Sequence, residues 1–461
     1  MFNRCVIFTQ YYLDCLSQAS YLIGDETTGR AVVVDPRRDV EEYITDARNQ
    51  GLAIELVIET HFHADFVSGH LELGRATGAE IAYGESAETE FPSRKLADGE
   101  RIRLGEVELE IRATPGHTPE SISVVVWERA TDETPYGVLT GDTLFIGDVG
   151  RPDLLSSVGV TADELATSLY RSIQEKLLTL PDGTRVFPGH GAGSACGKSL
   201  STATQSTIGE QRSENYALQL SGADAFVAAV TEGQRTPPAY FGFDARRNRE
   251  VHTLLHEEAP PPMTVDAVVR HQEAGAVVVD TRDAVAFAAG HLRGSVNVGL
   301  EGRFAEYAGA VLTPDDELVL VAEPGGEAEA RVRLARIGYD RVAGFLAEPE
   351  AAFVARPDLV ARGSRVTAAE LHRRRAEVPD LVLLDVRNPD EVEASGPLNG
   401  AVLIPVVDLP ERLAELDPTR PTVVYCAGGY RSALAASLLR RAGFTDVSDV
   451  LGGWAALADA A

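Results

Sequence analysis

The stretch IELVIETHFHADF, residues 54–66, decides the fold of the first part of the chain. Ile54 to Thr60 is a short apolar, β-branched run, the pattern of a buried strand. It leads straight into His61, His63 and Asp65, three ligand-type side chains within five residues. With only ten histidines in 461 residues, that clustering points to a metal rather than to a solvated polar loop. Working outward, AVVVD (31–35) reads as a second strand, Asp39 to Gln50 as a helix ended by Gly51, and the motif continues into a helix-like stretch through His70. ERIRL and EVELEIRAT form a hairpin around Gly105, and SISVVVW and YGVLT add strands. Strands with intervening helices predict a layered α/β arrangement. Further ligand types stand at similar strand ends: His117 in TPGHT, Asp142 in LTGDTLF and His190 in FPGHG. Each has a glycine beside it that lets the backbone turn sharply.

The length suggests two to four domains, and 44% hydrophobic with 24% charged residues gives each an ordinary core. A net charge of −28 disfavours nucleic acid or an anionic membrane as the main partner. No apolar run approaches 18 residues, and MFNRCVIFTQYYLDC lacks the order of a signal peptide. Four cysteines without a CxxC pair fit neither a disulfide framework nor a zinc knuckle, so a reducing cytoplasm is expected.

The division reads as follows: 1–235, the first α/β section; 236–262, a tether with one helix between PP at 237–238 and PPP at 260–262; then two copies of a smaller α/β domain, 263–356 and 357–461. VVVDTRDAVAFAAGHLRGSVNV resembles VLLDVRNPDEVEASGPLNGAVLI, and Asp280 and Asp385 lie 105 residues apart, as do Gly338 and Gly443. The later copy contains TVVYCAGGYRSALAASLLRRAG, in which a strand delivers Cys426 to a glycine loop and Ser432 opens a helix. Backbone N–H groups around Gly428, Gly429 and Tyr430 make an anion nest, and Arg431 adds positive charge. That setting favours a thiolate able to accept and pass on a sulfane sulfur. The earlier copy reads LVLVAEPGGEAEAR at this place and has no cysteine, so it is expected to be inactive, with His291 serving its fold.

At the His/Asp motifs the first section resembles the metallo-β-lactamase superfamily, whose motif is H-x-H-x-D-H with later His, Asp and His ligands. The resemblance implies an αββα sandwich. Phe66 stands where the dinuclear members place a histidine, which handicaps a two-zinc hydrolase. Two histidines and a carboxylate suit non-haem Fe(II) instead. The branch that looks this way is the persulfide dioxygenases, which carry a segment like GDVGRPDL at 147–154. The resemblance implies one Fe(II) per chain held by His61, His117 and Asp142. His63, Asp65 and His190 become supporting groups, although spacing alone equally allows His63 as a ligand.

Arg151 reads as a substrate- or loop-positioning cation fixed by Asp153, or equally as a structural pair. The GAGSACGK loop after His190 replaces the Asp–Tyr pair of glutathione-handling relatives. Cys196 in that loop is placed on the substrate side, as a sulfur carrier or a packed thiol. Cys15 is a weaker candidate for the cleft, and Cys5 and His70 read as core. The later copy is similar to the rhodanese family in its C-x-x-G-x-R loop, its Asp385-Val-Arg387 and its Gly452-Gly-Trp454.

Together the order resembles persulfide dioxygenase–rhodanese fusions. It implies a cytoplasmic sulfide-detoxification enzyme, a plausible homo-oligomer, acting on a low-molecular-weight thiol persulfide, O2 and sulfite or thiosulfate. The iron site would make sulfite and Cys426 would convert it to thiosulfate, or the coupling would run in reverse from thiosulfate. The rival expectations are a glyoxalase II-type zinc thioester hydrolase and a non-catalytic persulfide carrier or sensor.

Overall fold

The computed structural model describes residues 5–154, 160–234 and 236–458; the boundary expected at 235 lies outside them. The chain forms two compact units, one of residues 1–256 with 335–338, the other of 257–334 with 339–461. Among the described residues no helix is long and apolar enough to cross a membrane.

The first unit is the αββα metallo-β-lactamase sandwich. One sheet holds β1 (Val6–Leu13), β2 (Gln18–Asp25), β3 (Arg30–Val34), β4 (Ala53–Ile58), β5 (Glu80–Gly84) and β6 (Arg94–Leu96), in that order. The other runs β12 (Ser206–Thr207), β11 (Arg185–Pro188), β10 (Gly137–Gly141), β9 (Ile122–Trp127), β8 (Glu108–Ala113), β7 (Arg101–Arg103). Alternation along the strands creates three apolar layers. Ile23, Val32, Val34, Leu56 and Ile58 face Leu109, Ile111, Val124 and Val126 between the sheets. On the outer faces Val33 and Val57 meet Tyr43 and Ala47 of the helix Glu41–Asn49, while Val125, Val138 and Val186 meet Ala166 and Leu169 of the helix Ala162–Ser172. Each fully buried aliphatic side chain contributes about 1.5–3 kcal/mol, so these layers dominate the stability of the unit.

The helix expected to run on from the metal motif starts only at His70 and ends at Thr77. The preceding loop is tied down instead: Gly69 donates its N–H to the Pro36 carbonyl at 2.7 Å, and a Cβ on Gly69 would stand 1.9 Å from the Arg37 carbonyl oxygen. Close backbone approach, not helix propensity, sets the conformation of residues 61–69.

The second unit contains two rhodanese-like domains, each with a five-stranded parallel sheet. The first orders its strands Pro262–Met263, Val342–Leu346, Leu318–Val321, Val277–Asp280, Val296–Asn297. The second orders Ser364–Val366, Val447–Val450, Thr422–Tyr425, Val382–Asp385, Val402–Leu403. The repeated D-x-R element proves to be a buried ion pair in both copies: Arg282 reaches Asp280 and Arg387 reaches Asp385, each at 2.6 Å. Register also fixes what replaces the cysteine. Asp280 pairs with Val321 and Asp385 with Tyr425, so Ala322 occupies the place of Cys426. The glycines three residues later, Gly325 and Gly429, share positive φ values of +92° and +106°.

The Gly452-Gly-Trp454 element closes over the Cys426 loop. Trp454 and Ala455 donate N–H groups to the carbonyls of Cys426 (2.6 Å) and Ala427 (3.2 Å), and the indole stacks on Arg387. Gly453 has φ +58°, and a Cβ there would lie 2.3 Å from the Cys426 carbonyl oxygen. Gly453→Ala combines left-handed strain with a backbone clash and is expected to cost about 2–5 kcal/mol. Denaturant unfolding followed by tryptophan fluorescence checks this through an earlier transition in the variant.

Candidate functional site

Strands β8, β10 and β11 run in one direction, because β9 is antiparallel to both β8 and β10 while β11 is parallel to β10. Their carboxyl ends therefore deliver His117, Asp142 and His190 to one edge, and β4 delivers His61 to the same place. One ligand atom each from His61, His117 and Asp142 lies within 4.8 Å of the others, all three residues buried. His61 Nε2 and His117 Nε2 stand 3.9 and 3.6 Å from Asp142 Oδ2.

Hydrogen bonding fixes which ring nitrogen of each histidine faces inward. Thr60 donates its hydroxyl to Asp35 Oδ2 at 2.9 Å, so the Thr60 oxygen accepts from His61 Nδ1–H, also at 2.9 Å. His117 Nδ1 lies 2.8 Å from the Arg151 carbonyl, which can only accept. Both histidines thus carry their proton on Nδ1 and turn an Nε2 lone pair toward Asp142, the state a metal ligand requires. Burial and the neighbouring His63 charge hold His61 well below the ordinary imidazole range, which keeps it neutral. His61 Nε2 and Asp142 Oδ2 are buried without a hydrogen-bond partner among the described residues. Such orphaned acceptors cost free energy unless a cation satisfies them, so the residues present fit a metal.

The other motif residues do different work. His190 is wedged between two carboxylates, Nδ1 at 2.8 Å from Asp142 Oδ1 and Nε2 at 2.7 Å from Asp65 Oδ2. Burial would favour the neutral ring, but Asp142 and Asp65 outweigh it and keep His190 protonated. In return burial is overcome at Asp142, which the charge and hydrogen bond of His190 above all hold far below the usual carboxylate range. His63 turns its Nε2 to Asp35 (3.1 Å) and Glu59 (3.5 Å), and these carboxylates, against the effect of burial, push it up to about 10. Phe66, buried, packs its ring 4.3 Å from that of His63.

Asp65, His190 and Cys196 form a second buried cluster. Burial, then the Asp65 and Asp142 charges, push the Cys196 thiol up. Cys15 joins no metal-ligating cluster among the described residues, and its thiol lies 3.8 Å from Arg336. Arg151 is buried and fully engaged: its guanidinium holds Asp153 at 2.7 Å through both Nε and Nη2 and donates to the Ala195 carbonyl. Its N–H donates to the Cys196 carbonyl at 3.0 Å, so it ties the 191–198 loop to His117.

Two contributors escape a reading of motifs. Asp35, a non-glycine residue at φ +51°, aims its carboxylate at Thr60 and His63. The other is Asn248, just after the helix Phe241–Arg247 in the stretch read as a tether. Fully buried, it donates to the carbonyls of His63 and Phe66 and accepts from Ser68 N–H, each at 2.8 Å. An unbroken three-bond clamp of this kind leaves no trace in local sequence.

In the second rhodanese-like domain Cys426 is buried; its sulfur accepts the Gly429 N–H at 3.1 Å and lies 3.6 Å from the Ser432 hydroxyl. Arg431 is locked by Glu391 through bonds of 2.5 and 2.6 Å. Gly428 is exposed and would meet nothing within 4 Å if it carried a Cβ. The Tyr430 hydroxyl donates to the Gly299 carbonyl at 2.6 Å.

Comparison with known proteins agrees with both halves. Residues 13–190 match the metallo-beta-lactamase superfamily, and 264–347 and 367–460 match the rhodanese-like domain. The human mitochondrial persulfide dioxygenase ETHE1 is 31% identical over 206 residues, spanning 44% of this chain and 72% of that protein. A hydroxyacylglutathione hydrolase of Polaromonas sp. is 36% identical over 174 residues, 37% of this chain and 61% of that one. The crystal structure of a metallo-beta-lactamase from Staphylococcus aureus is 34% identical with a TM-score of 0.67, covering 74% of this chain and 98% of that one.

Two substitutions probe the metal edge without replacing a candidate ligand. A Cβ on Gly150 would lie 1.8 Å from the Asp142 carbonyl oxygen and 3.2 Å from His117 Cβ. Gly150→Ala should cost at least about 3 kcal/mol and lower bound metal per chain, measured by elemental analysis of purified protein. Asn248→Ala removes the three bonds of the clamp and should destabilise the first unit by on the order of 3 kcal/mol, read as a lower first thermal transition.

Proposed function

The chain belongs to the persulfide dioxygenase–rhodanese fusion family, and on that footing we propose that it oxidises a low-molecular-weight thiol persulfide to sulfite and couples this to sulfur transfer at Cys426. The overall first reaction is R–S–S⁻ + O2 + H2O → R–SH + SO3²⁻ + H⁺. The reading rests above all on the two Nε2 lone pairs of His61 and His117 meeting Asp142 Oδ2, with Phe66 in place of a further ligand. One Fe(II) held there would supply dioxygen activation and a soft binding position for the anionic outer sulfur.

The protein's own contribution is orientation and charge. The Thr60 hydroxyl and the Arg151 carbonyl accept at the two Nδ1 atoms and aim the rings, and His190 keeps Asp142 ionised and fixed. His63 and His190, both protonated, offset part of the charge of the four buried acids Asp35, Glu59, Asp65 and Asp142, and a cation held by His61, His117 and Asp142 would supply the rest.

At the second centre Cys426 acts as nucleophile. Its thiolate attacks the outer sulfur of R–S–SH, R–S⁻ leaves, and Cys426 carries the persulfide. Sulfite then attacks that outer sulfur, releasing thiosulfate and restoring the thiolate. The Gly429 N–H and Ser432 stand where charge on sulfur develops. Covalent fusion keeps sulfite near its acceptor. Run in reverse, Cys426 would load from thiosulfate and feed persulfide to the first centre.

The test is oxygen uptake by the iron-loaded protein on an organic persulfide, with sulfite and thiosulfate quantified. The parent should consume O2 and yield thiosulfate. Cys426→Ser should consume O2 at the parental rate but accumulate sulfite, and His117→Ala should lose uptake by at least about a hundredfold. A protein that instead binds two zincs and hydrolyses acyl thioesters, with no oxygen uptake, would overturn the proposal.

A further inference from the structure

The cysteine-less domain is in contact with the loop that carries Cys426. Tyr430 lies inside that loop, and its hydroxyl is bound to the carbonyl of Gly299 in the earlier domain. Its ring lies 5.3 Å, centroid to centroid, from that of Tyr307, on the helix Phe304–Val311 of the same earlier domain. A second tie lies further along the helix Tyr430–Arg441, where Ser437 Oγ accepts the Asn297 N–H at 3.0 Å. Every residue from Ser432 to Leu439 of that helix is buried, so it has no solvent-facing side.

Tyr307 differs from Tyr430 in one respect: its hydroxyl has no hydrogen-bond partner among the described residues. Both Arg431 and Cys426 belong to its electrostatic surroundings, and Arg431 in turn feels Tyr307 and Cys426. Burial keeps the phenol protonated, with Arg431 only partly opposing that. The loop's own cation is meanwhile committed to Glu391. The arginine of the Cys426 loop is thus already neutralised, while the Tyr307 ring, packed on Tyr430 of that loop, carries an uncommitted phenolic donor.

We infer that the cysteine-less domain completes the sulfur-transfer site, with Tyr307 as a substrate-binding residue that donates its O–H to the oxygen end of a sulfur oxoanion, the sulfonate of thiosulfate or sulfite itself. This rests on the sulfur transfer proposed above. In the step it serves, the Cys426 thiolate bonds to the sulfane sulfur of S–SO3²⁻. The S–S bond to the sulfonate breaks, and sulfite leaves with the electron pair. In the opposite direction sulfite attacks the Cys426 persulfide and the same oxygens face the same donor.

The experiment compares the full-length parent with Tyr307→Phe, which keeps the ring stack and removes only the hydroxyl. Steady-state transfer from thiosulfate to a thiol should show KM for thiosulfate raised roughly ten- to a hundredfold, the loss of one hydrogen bond to a charged group, with kcat within about twofold. Loading of Cys426 by an organic persulfide without a sulfonate, followed by intact mass, should be unchanged. An unaltered KM would overturn the inference, and so would an equal loss with the sulfonate-free donor, which would mean that Tyr307 only supports the loop. A parent that transfers no sulfur from either donor would count against the proposed activity itself and remove the ground of this inference with it.

Discussion

Buried charge is tolerable only when it is paired, and at the metal edge the pairing alternates strictly. Asp65, His190 and Asp142 follow one another as acid, imidazolium and acid; Asp35 and Glu59 flank His63 in the same way. Remove His190 and two carboxylates are left facing each other inside the fold. Remove His63 and the same befalls Asp35 and Glu59. The two chains of charge also divide the four motif histidines into those that present lone pairs and those that carry protons. His61 and His117, anchored by groups that can only accept their Nδ1 protons, stay available to a cation. The distinction arises from neighbours rather than from the motif, since His61 and His63 lie two residues apart and end in opposite states.

That contrast marks the limit of what the sequence discloses. His61, His117 and Asp142 were legible because ligand-type side chains followed apolar runs, with glycines permitting the turn. The layered fold was legible for the same reason, through the apolar runs of β3, β4 and β9 with helices set between strands. What separates His63 from His61 was not, because it depends on Asp35, at the end of a different strand. The clamp by Asn248 was still less accessible, since some 180 residues lie between it and the loop it holds. The helix expected after the motif starts late, at His70, for a related reason: Gly69 and Ser68 are claimed by the 36–37 backbone, a contact that periodicity does not record.

The two rhodanese-like domains show how a repeat can keep its frame while losing its chemistry. The Asp–Arg pair, the parallel sheet and the positive-φ glycine persist in both. The loop after the strand differs, Ala322-Glu323-Pro324 against Cys426-Ala427-Gly428 and Glu327 against Arg431, together with the polarity of the next helix. EAEARVRLAR has the charged face of a helix in water, whereas YRSALAASLLRR is apolar and small-sided through its middle. The latter composition reads as deep burial, and the strand Val296–Asn297 supplies part of the cover.

A helix with no wet side cannot be an independent cassette. Cutting the chain between the copies would bare an oily surface along the very element that shapes the Cys426 loop. The cysteine-bearing copy is therefore tethered to its cysteine-less twin by solubility as much as by descent, and any natural or engineered shuffling of this module has to move the pair.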